Sequence, residues 1–360
     1  MTPAKKIRVL VVDDSAVVRR MISEALSSDA EIEVVGTACD PFVARDKILE
    51  LNPDVLTLDI EMPRMDGLTF LRILQHHRPI PVIIVSSLTP AGSRTALAAL
   101  ELGAVEVLAK PQSAWNLGDL RDQLARSVKG AMRARLDNLR PPPPKIPGGP
   151  LECPGQFSPR QLIVIGASTG GTEAIKDVLL RLPAGLPGIL IVQHIPPVFS
   201  KTFADRLNEL CAMEVREAVH GDEVRPGTVL VAPGDFHMVV GWGNDSYRVQ
   251  LRQDPPIHHT RPAVDMLFNS AARCAGTQAV GVLLTGMGRD GAQGMQQLKL
   301  NGATTIAQNE ASCVVYGMPR AAVELGVVDR LLPLEQIPHA ILHALGSRPA
   351  GKVEKTAVLK

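Results

Sequence analysis

The sequence predicts an α/β protein built from two doubly wound parallel-sheet domains, and three observations predict it. Short apolar runs alternate with amphipathic stretches along most of the chain, the pattern of strands buried on both faces with helices between them. The alternation breaks once, at a proline-rich seam. At 360 residues the chain has the length of two ordinary domains, each able to bury a core.

In the first half, residues 7–12, 32–37, 54–58, 82–85 and 104–108 read as five buried strands, with helices over 16–26 and 67–75 among the segments between them. The seam lies between Lys129 and Arg160, 32 residues that hold eight prolines, including Pro141 to Pro144, and four glycines. A polyproline run is a stiff spacer with no capacity to build a core. The expected division is therefore a first domain over 1–128, a linker over 129–157, a second domain over 158–347 and a flexible tail over 348–360. In the second domain, 162–165, 189–192, 282–284 and 304–306 read as central strands. The stretch 229–251, rich in glycine and β-formers, reads as hairpins inserted into that domain.

Composition excludes several classes. Lys and Arg total 38 against 37 Asp and Glu, a net charge of +1, which argues against binding nucleic acid or a membrane surface as the main activity. Cys39, Cys153, Cys211, Cys274 and Cys313 are scattered and form no C-x-x-C pair, as in a reduced protein without a disulfide framework or thiolate zinc site. No apolar run approaches the ~18 residues of a membrane span. The apolar stretch after Lys5-Lys6 ends at Asp13-Asp14, too short and too acidic for a signal peptide, so the expected compartment is the cytoplasm.

In an open parallel sheet, function gathers at the carboxyl ends of the strands. In the first domain those ends carry Asp13-Asp14, Asp59, Ser86 and Lys110. Three carboxylates placed together repel one another unless a cation sits among them, and oxygen ligands suit a hard ion such as Mg²⁺. Lys110 and Ser86 then offer a point charge and a hydroxyl to a phosphoryl group carried on an aspartate. Taken singly, Asp13-Asp14 also reads as a helix N-cap and Asp59 as a solvated turn. All five groups on successive strand ends fit those readings poorly.

The second domain opens with Gly166-Ala167-Ser168-Thr169-Gly170-Gly171 between a strand and a helix. A glycine-rich turn of this kind can cradle a pyrophosphate, but that use wants an acidic residue after the next strand, where Gln193-His194 stands. The same segment satisfies G-x-S-x-G, a tight turn that displays a serine above the sheet. His194 and the loop Gly286-Met287-Gly288-Arg289-Asp290-Gly291 supply a base and a carboxylate on other strand ends. Singly, His194 reads as a strand-end histidine and Asp290 as a helix N-cap. The order serine, histidine, acid differs from the α/β-hydrolase order of serine, acid, histidine. His237 and His258-His259 lack a ligand spacing and read as surface positions.

Two resemblances sharpen this. VVDDS at 11–15, DVLTLDIEMPRMDG at 54–67 and Ala109-Lys110-Pro111 resemble the receiver domain of two-component response regulators over about residues 5–128. The resemblance implies Asp59 as phospho-acceptor and Mg²⁺ on Asp13, Asp14, Asp59 and the backbone carbonyl of Glu61. Ser86 is implied as switch hydroxyl and Lys110 as phosphate-binding lysine. The usual aromatic switch position is Val107 here. The second domain resembles the catalytic domain of chemotaxis protein-glutamate methylesterases, the CheB family. The matching stretches are IGASTGG at 165–171, IVQHIP at 191–196, APGDFHM at 232–238, RPAVDMLF at 261–268, LLTGMGRDGA at 283–292 and QNEASCVVYGMPRAA at 308–322. That resemblance implies Ser168 as nucleophile, His194 as base, Asp290 as its orienter, the Met287 N–H as oxyanion donor and Thr169 as a support for the imidazole. Thr260 and Ala263 stand where the family has histidine and serine.

The implied activity is hydrolysis of glutamate γ-methyl esters on chemoreceptors, with deamidation of receptor glutamines, no cofactor in the second domain and a chemotaxis histidine kinase as phosphodonor. The receiver is expected to fold over the strand ends carrying Ser168, His194 and Asp290 until Asp59 is phosphorylated. A transcriptional regulator would have a smaller, basic output domain with a helix-turn-helix. An esterase for a small molecule would share the residues and differ in substrate, and a scaffold would have lost the triad.

Overall fold

The computed structural model describes residues 5–346 except 88, 111–116, 140–149, 153, 154 and 156. The proline run at 141–144 and the tail at 348–360 lie outside the described residues. The first domain runs β1 (Ile7–Val12), α1 (Ala16–Ser27), β2 (Ile32–Ala38), α2 (Pro41–Leu51), β3 (Val55–Leu58), α3 (Gly67–His77), β4 (Val82–Ser86), α4 (Pro90–Glu101), β5 (Glu106–Ala109) and α5 (Leu117–Ala131). Its five strands are all parallel in the order β2-β1-β3-β4-β5, the flavodoxin-like order with the switch point between β1 and β3. Continuous runs such as Val9 to Val12 are buried on both faces, which is why these strands lack a polar alternation.

The second domain contains β6 (Leu162–Ala167), α6 (Gly171–Arg181), β7 (Ile189–Gln193), α7 (Phe199–Leu210), β8 (Glu214–Glu217), β9 (Glu223–Val224), β10 (Thr228–Val231), β11 (His237–Gly243) and β12 (Ser246–Arg252). After these come α8 (Val264–Ala275), β13 (Ala279–Leu283), α9 (Ala292–Leu300), β14 (Thr304–Gln308), α10 (Met318–Glu324), β15 (Arg330–Leu332) and α11 (Ile337–Gly346). Seven strands form a parallel sheet in the order β15-β14-β13-β6-β7-β10-β8, so its switch point lies between β6 and β13. β11, β12 and β9 make a separate antiparallel sheet.

Two expectations need correction. The hairpin reading of 229–251 holds for β11 and β12, but β10 belongs to the main sheet, paired parallel to β7 and β8. Its four residues are all buried, whereas β12 alternates buried and exposed positions, and that contrast separates a central strand from a hairpin strand. The span expected as linker is partly structured. α5 runs to Ala131, and a 3-10 turn over Leu136–Leu139 docks on the second domain. There the Arg135 N–H donates to the Val314 carbonyl at 2.9 Å, and Asn138 Nδ2 donates to the carbonyls of Ala311 (3.0 Å) and Cys313 (2.8 Å).

These contacts bring the domains together along β5, α5 and the second domain's strand-end loops. Val314, Val315 and Met287 pack in one apolar cluster with Leu124, Val128 and Ala131 of α5. Gly130 is the close point: a β-carbon there would stand 2.7 Å from Met287 Sδ, so any larger residue displaces that side chain. Farther out, α4 packs on α7, with Arg206 3.5 Å from Glu101.

Candidate active site

The second domain's switch point collects its chemistry. Ser168 follows β6, its N–H donating to the Thr285 carbonyl after β13 at 3.0 Å. Its own carbonyl accepts from the Gly171 N–H (2.7 Å) and from Gln193 Nε2 (2.8 Å), so the turn is pinned from three sides. Gly286 permits the close pass of the two loops, since a β-carbon there would lie 2.8 Å from Ser168 Cβ and 2.3 Å from Met318 Sδ. Thr285 Oγ1 donates to the Thr169 carbonyl at 3.0 Å, tying the same loops again.

His194 follows β7 and its Nε2 lies 2.8 Å from Asp290 Oδ2. Asp290 is 2 % exposed. It also accepts the N–H groups of Val264 (Oδ2, 2.7 Å) and Asp265 (Oδ1, 2.9 Å), the first turn of α8. Asp290 thus caps a helix, although that helix is α8 and not the one that follows it, and the same carboxylate meets His194. Burial works against its charge, but the His194 contact and the two backbone donors outweigh burial and hold the carboxyl below the usual range. Asp290 takes Nε2, so Nδ1 is the imidazole nitrogen left to another partner. Ser168, Thr169, His194 and Met287 line one cleft of roughly 480 Å³, closed on its other side by Glu106 and Val107 of β5.

Glu106 was not among the residues expected at the site. Its Oε2 lies 3.4 Å from Thr169 Oγ1. Burial pushes its carboxyl up, opposed by a hydrogen bond from Ser127, by the charge of His194 and by Thr169. Its only sequence signal is an acidic residue opening a buried strand. Gln193 and Asp265 were missed too. Asp265 Oδ1 accepts the Gly294 N–H at 2.6 Å, and burial together with neighbouring Asp290 pushes its carboxyl up to about 6.

The remaining positions are distributed as follows. His237 is fully buried, a correction to its surface reading: its Nδ1 accepts the Ala263 N–H (3.1 Å) and its Nε2 donates to the Pro255 carbonyl (3.1 Å). It lies where β11 enters the core and braces the start of α8. His258 and His259 are exposed, as expected. Thr260 closes their turn through Oγ1 to the Ile257 carbonyl at 2.9 Å. Ala263 is the N-cap residue of α8 and gives no side-chain cap, a task the Asp290 carboxylate performs in its place.

In the first domain, Asp13, Asp14 and Asp59 each place a carboxylate oxygen within 4.8 Å of the others, with Asp13 and Asp59 buried. Ser15, not either aspartate, caps α1. Lys110 Nζ stands 3.0 Å from Asp13 Oδ2 and 2.7 Å from Asp59 Oδ2, yet neither oxygen accepts an aligned hydrogen bond. Oxygen donors with open lone pairs fit a hard divalent cation. Burial pushes the Asp59 carboxyl up, with Lys110 opposing and Asp13 adding to the shift. Burial works against the Lys110 charge, but Asp59 and Asp13 together carry its pKa above the ordinary lysine value. The Glu61 N–H donates to Asp59 Oδ1 at 3.2 Å, and Ser86 Oγ is 3.5 Å from the Gly92 carbonyl.

Comparison with known proteins places both halves. The CheB methylesterase family matches residues 163–341 and the response regulator receiver domain matches 9–121. A protein-glutamate methylesterase/protein-glutamine glutaminase 2 from Syntrophus aciditrophicus is 53% identical over 338 residues, covering 94% of this chain and 98% of its own. A protein-glutamate methylesterase/protein-glutamine glutaminase from Salmonella typhimurium is 49% identical over 352 residues, covering 97% of this chain and 99% of its own. The crystal structure of the Thermotoga maritima CheB methylesterase catalytic domain is 40% identical with a TM-score of 0.50, covering 51% of this chain and 97% of that one.

Proposed function

The chain belongs to the CheB methylesterase family and is, with its receiver, a phosphorylation-regulated protein-glutamate methylesterase and protein-glutamine glutaminase; from that premise we propose which residues carry the reaction. Ser168 Oγ attacks the γ-carbonyl of a methylated receptor glutamate while His194 Nδ1 takes its proton. Asp290 fixes the imidazole through Nε2 and stabilises the imidazolium that forms. The N–H of Met287 faces the developing oxyanion. His194 returns the proton to the leaving oxygen, methanol departs, and water activated by the same imidazole hydrolyses the acyl-enzyme to free glutamate and Ser168. With a glutamine substrate the leaving group is ammonia.

Asp13, Asp14, Asp59 and the Glu61 carbonyl would hold Mg²⁺, which would supply charge neutralisation for phosphorylation of Asp59, with Lys110 and Ser86 receiving the phosphoryl oxygens. A chemotaxis histidine kinase is the donor. The substrates are chemoreceptors that carry methylated glutamates. The receiver ends with α5 at Ala131, the linker that follows carries the docked 3-10 turn over Leu136–Leu139, and the catalytic domain begins at about 158. Among the described residues no helix is long and apolar enough to cross a membrane.

The observation that carries this reading is the Asp290 carboxylate held at once by His194 and by the start of α8, in one cleft with Ser168. The test is release of labelled methanol from a methylated receptor, with and without a small phosphoryl donor. Donor-stimulated release that Asp59→Asn abolishes is expected. Donor stimulation that persists in Asp59→Asn removes that residue as acceptor.

A further inference from the structure

A second cluster of donor atoms shares Asp290 with the candidate active site and is separate from the first domain's carboxylates. One ligand atom from each of His258, Asp265 and Asp290 falls within 4.8 Å of the others. Asp265 is 3 % exposed, and its Oδ2 accepts no hydrogen bond. The group facing that oxygen is His258 Nε2 at 3.4 Å, beyond good hydrogen-bond contact. Two ligand atoms held about 2.0–2.1 Å from a tetrahedral Zn²⁺ stand about 3.4 Å apart. Asp290 Oδ1 accepts one hydrogen bond, from the Asp265 N–H, which leaves it a lone pair. His258 and Asp290 both line the cleft, so an ion meets this cluster from that side.

Backbone geometry holds the histidine there. Ile257 and Thr260 exchange two backbone hydrogen bonds around His258 and His259, whose φ angles are 51° and 63°. Left-handed conformations at both central residues are those of a type I′ turn, a rigid mount for the imidazole.

We propose that His258, Asp265 and Asp290 form a binding site for a zinc-type divalent cation. One imidazole with two carboxylates suits zinc better than magnesium, which prefers oxygen ligands alone. A cation bound there draws on the same carboxylate that holds His194, so occupancy slows ester hydrolysis. This consequence rests on the proposed roles of His194 and Asp290, whereas the binding does not.

The test uses tag-free full-length protein carrying Asp13→Asn, Asp14→Asn and Asp59→Asn, which removes the first-domain carboxylates as competitors. Equilibrium dialysis against Zn²⁺ should find one ion per chain. Adding His258→Asn, which keeps a residue tolerant of the left-handed conformation, should weaken binding on the order of 100-fold, while His259→Asn should leave it unchanged. Co²⁺ in place of zinc should give the visible bands of a tetrahedral nitrogen and oxygen site, and these should vanish with His258→Asn. No stoichiometric ion, or equal affinity in the His258 variant, overturns the site. Zinc should also slow methanol release by the chain with its native aspartates and spare its His258→Asn variant. Binding without that inhibition overturns the coupling to His194. If no variant releases methanol with or without zinc, the functional reading fails and dialysis still decides the site.

Discussion

At the scale of the residue, Ser168 and Asp290 have opposite structural weights. The backbone of Ser168 is pinned by Thr285, Gly171 and Gln193, while its hydroxyl makes no hydrogen bond among the described residues. Ser168→Ala should therefore change stability by less than about 0.5 kcal/mol and lower turnover by about 10,000-fold or more. Methanol release and denaturant melts of one preparation check both. Asp290 holds two N–H groups of α8 as well as His194. Asp290→Ala should remove a helix cap and cost about 1–2 kcal/mol besides the loss of activity. Asp290→Asn keeps an acceptor oxygen, so denaturant midpoints should rank wild type, Asn, Ala. An Ala variant as stable as wild type would remove Asp290 from its capping role.

At the scale of the element, β5 does more than end the first sheet. It carries Lys110 just beyond its last residue and presents Glu106 to the cleft of the other domain. Glu106 holds Thr169, the neighbour of Ser168, and closes one side of the cleft. Glu106→Ala should loosen that contact and open the cleft, raising methanol release by the unphosphorylated enzyme while leaving that of the phosphorylated enzyme little changed. Unchanged release by the unphosphorylated variant would remove Glu106 from any part in closing the cleft. Val107, buried beside it, occupies the place of the usual aromatic switch. The Glu106–Thr169 contact gives β5 a route to the site that needs no ring rotation.

At the scale of the molecule, the receiver covers the strand ends that carry Ser168, His194 and Asp290, through β5, α5 and the 3-10 turn beyond it. A lid of this kind that is closed nine-tenths of the time needs roughly 1.4 kcal/mol of docking free energy. The fragment from residue 158 onward should then be about tenfold faster than the unphosphorylated chain and indifferent to phosphoryl donor. The solved Thermotoga maritima catalytic domain shows that a related domain stands alone. Turnover of fragment and intact protein on one methylated receptor decides the matter, and a folded fragment that is no faster rules out steric inhibition.

What the sequence determined by itself is whatever depends on local order: which runs are strands, which residues stand at their carboxyl ends, and the chemistry of each group. Asp13, Asp59, Lys110, Ser168, His194 and Asp290 were all legible because strand and helix periods place them on sheet ends whatever the packing. Tertiary structure alone decided the rest. β10 joined the main sheet because both its faces found apolar cover, and His237 went inside because two backbone groups there needed partners. Glu106 met Thr169, and Asp290 met α8, across separations of 63 and 26 residues. Such meetings depend on how two sheets dock. Docking is set by summed surface complementarity, which no local pattern in the chain encodes.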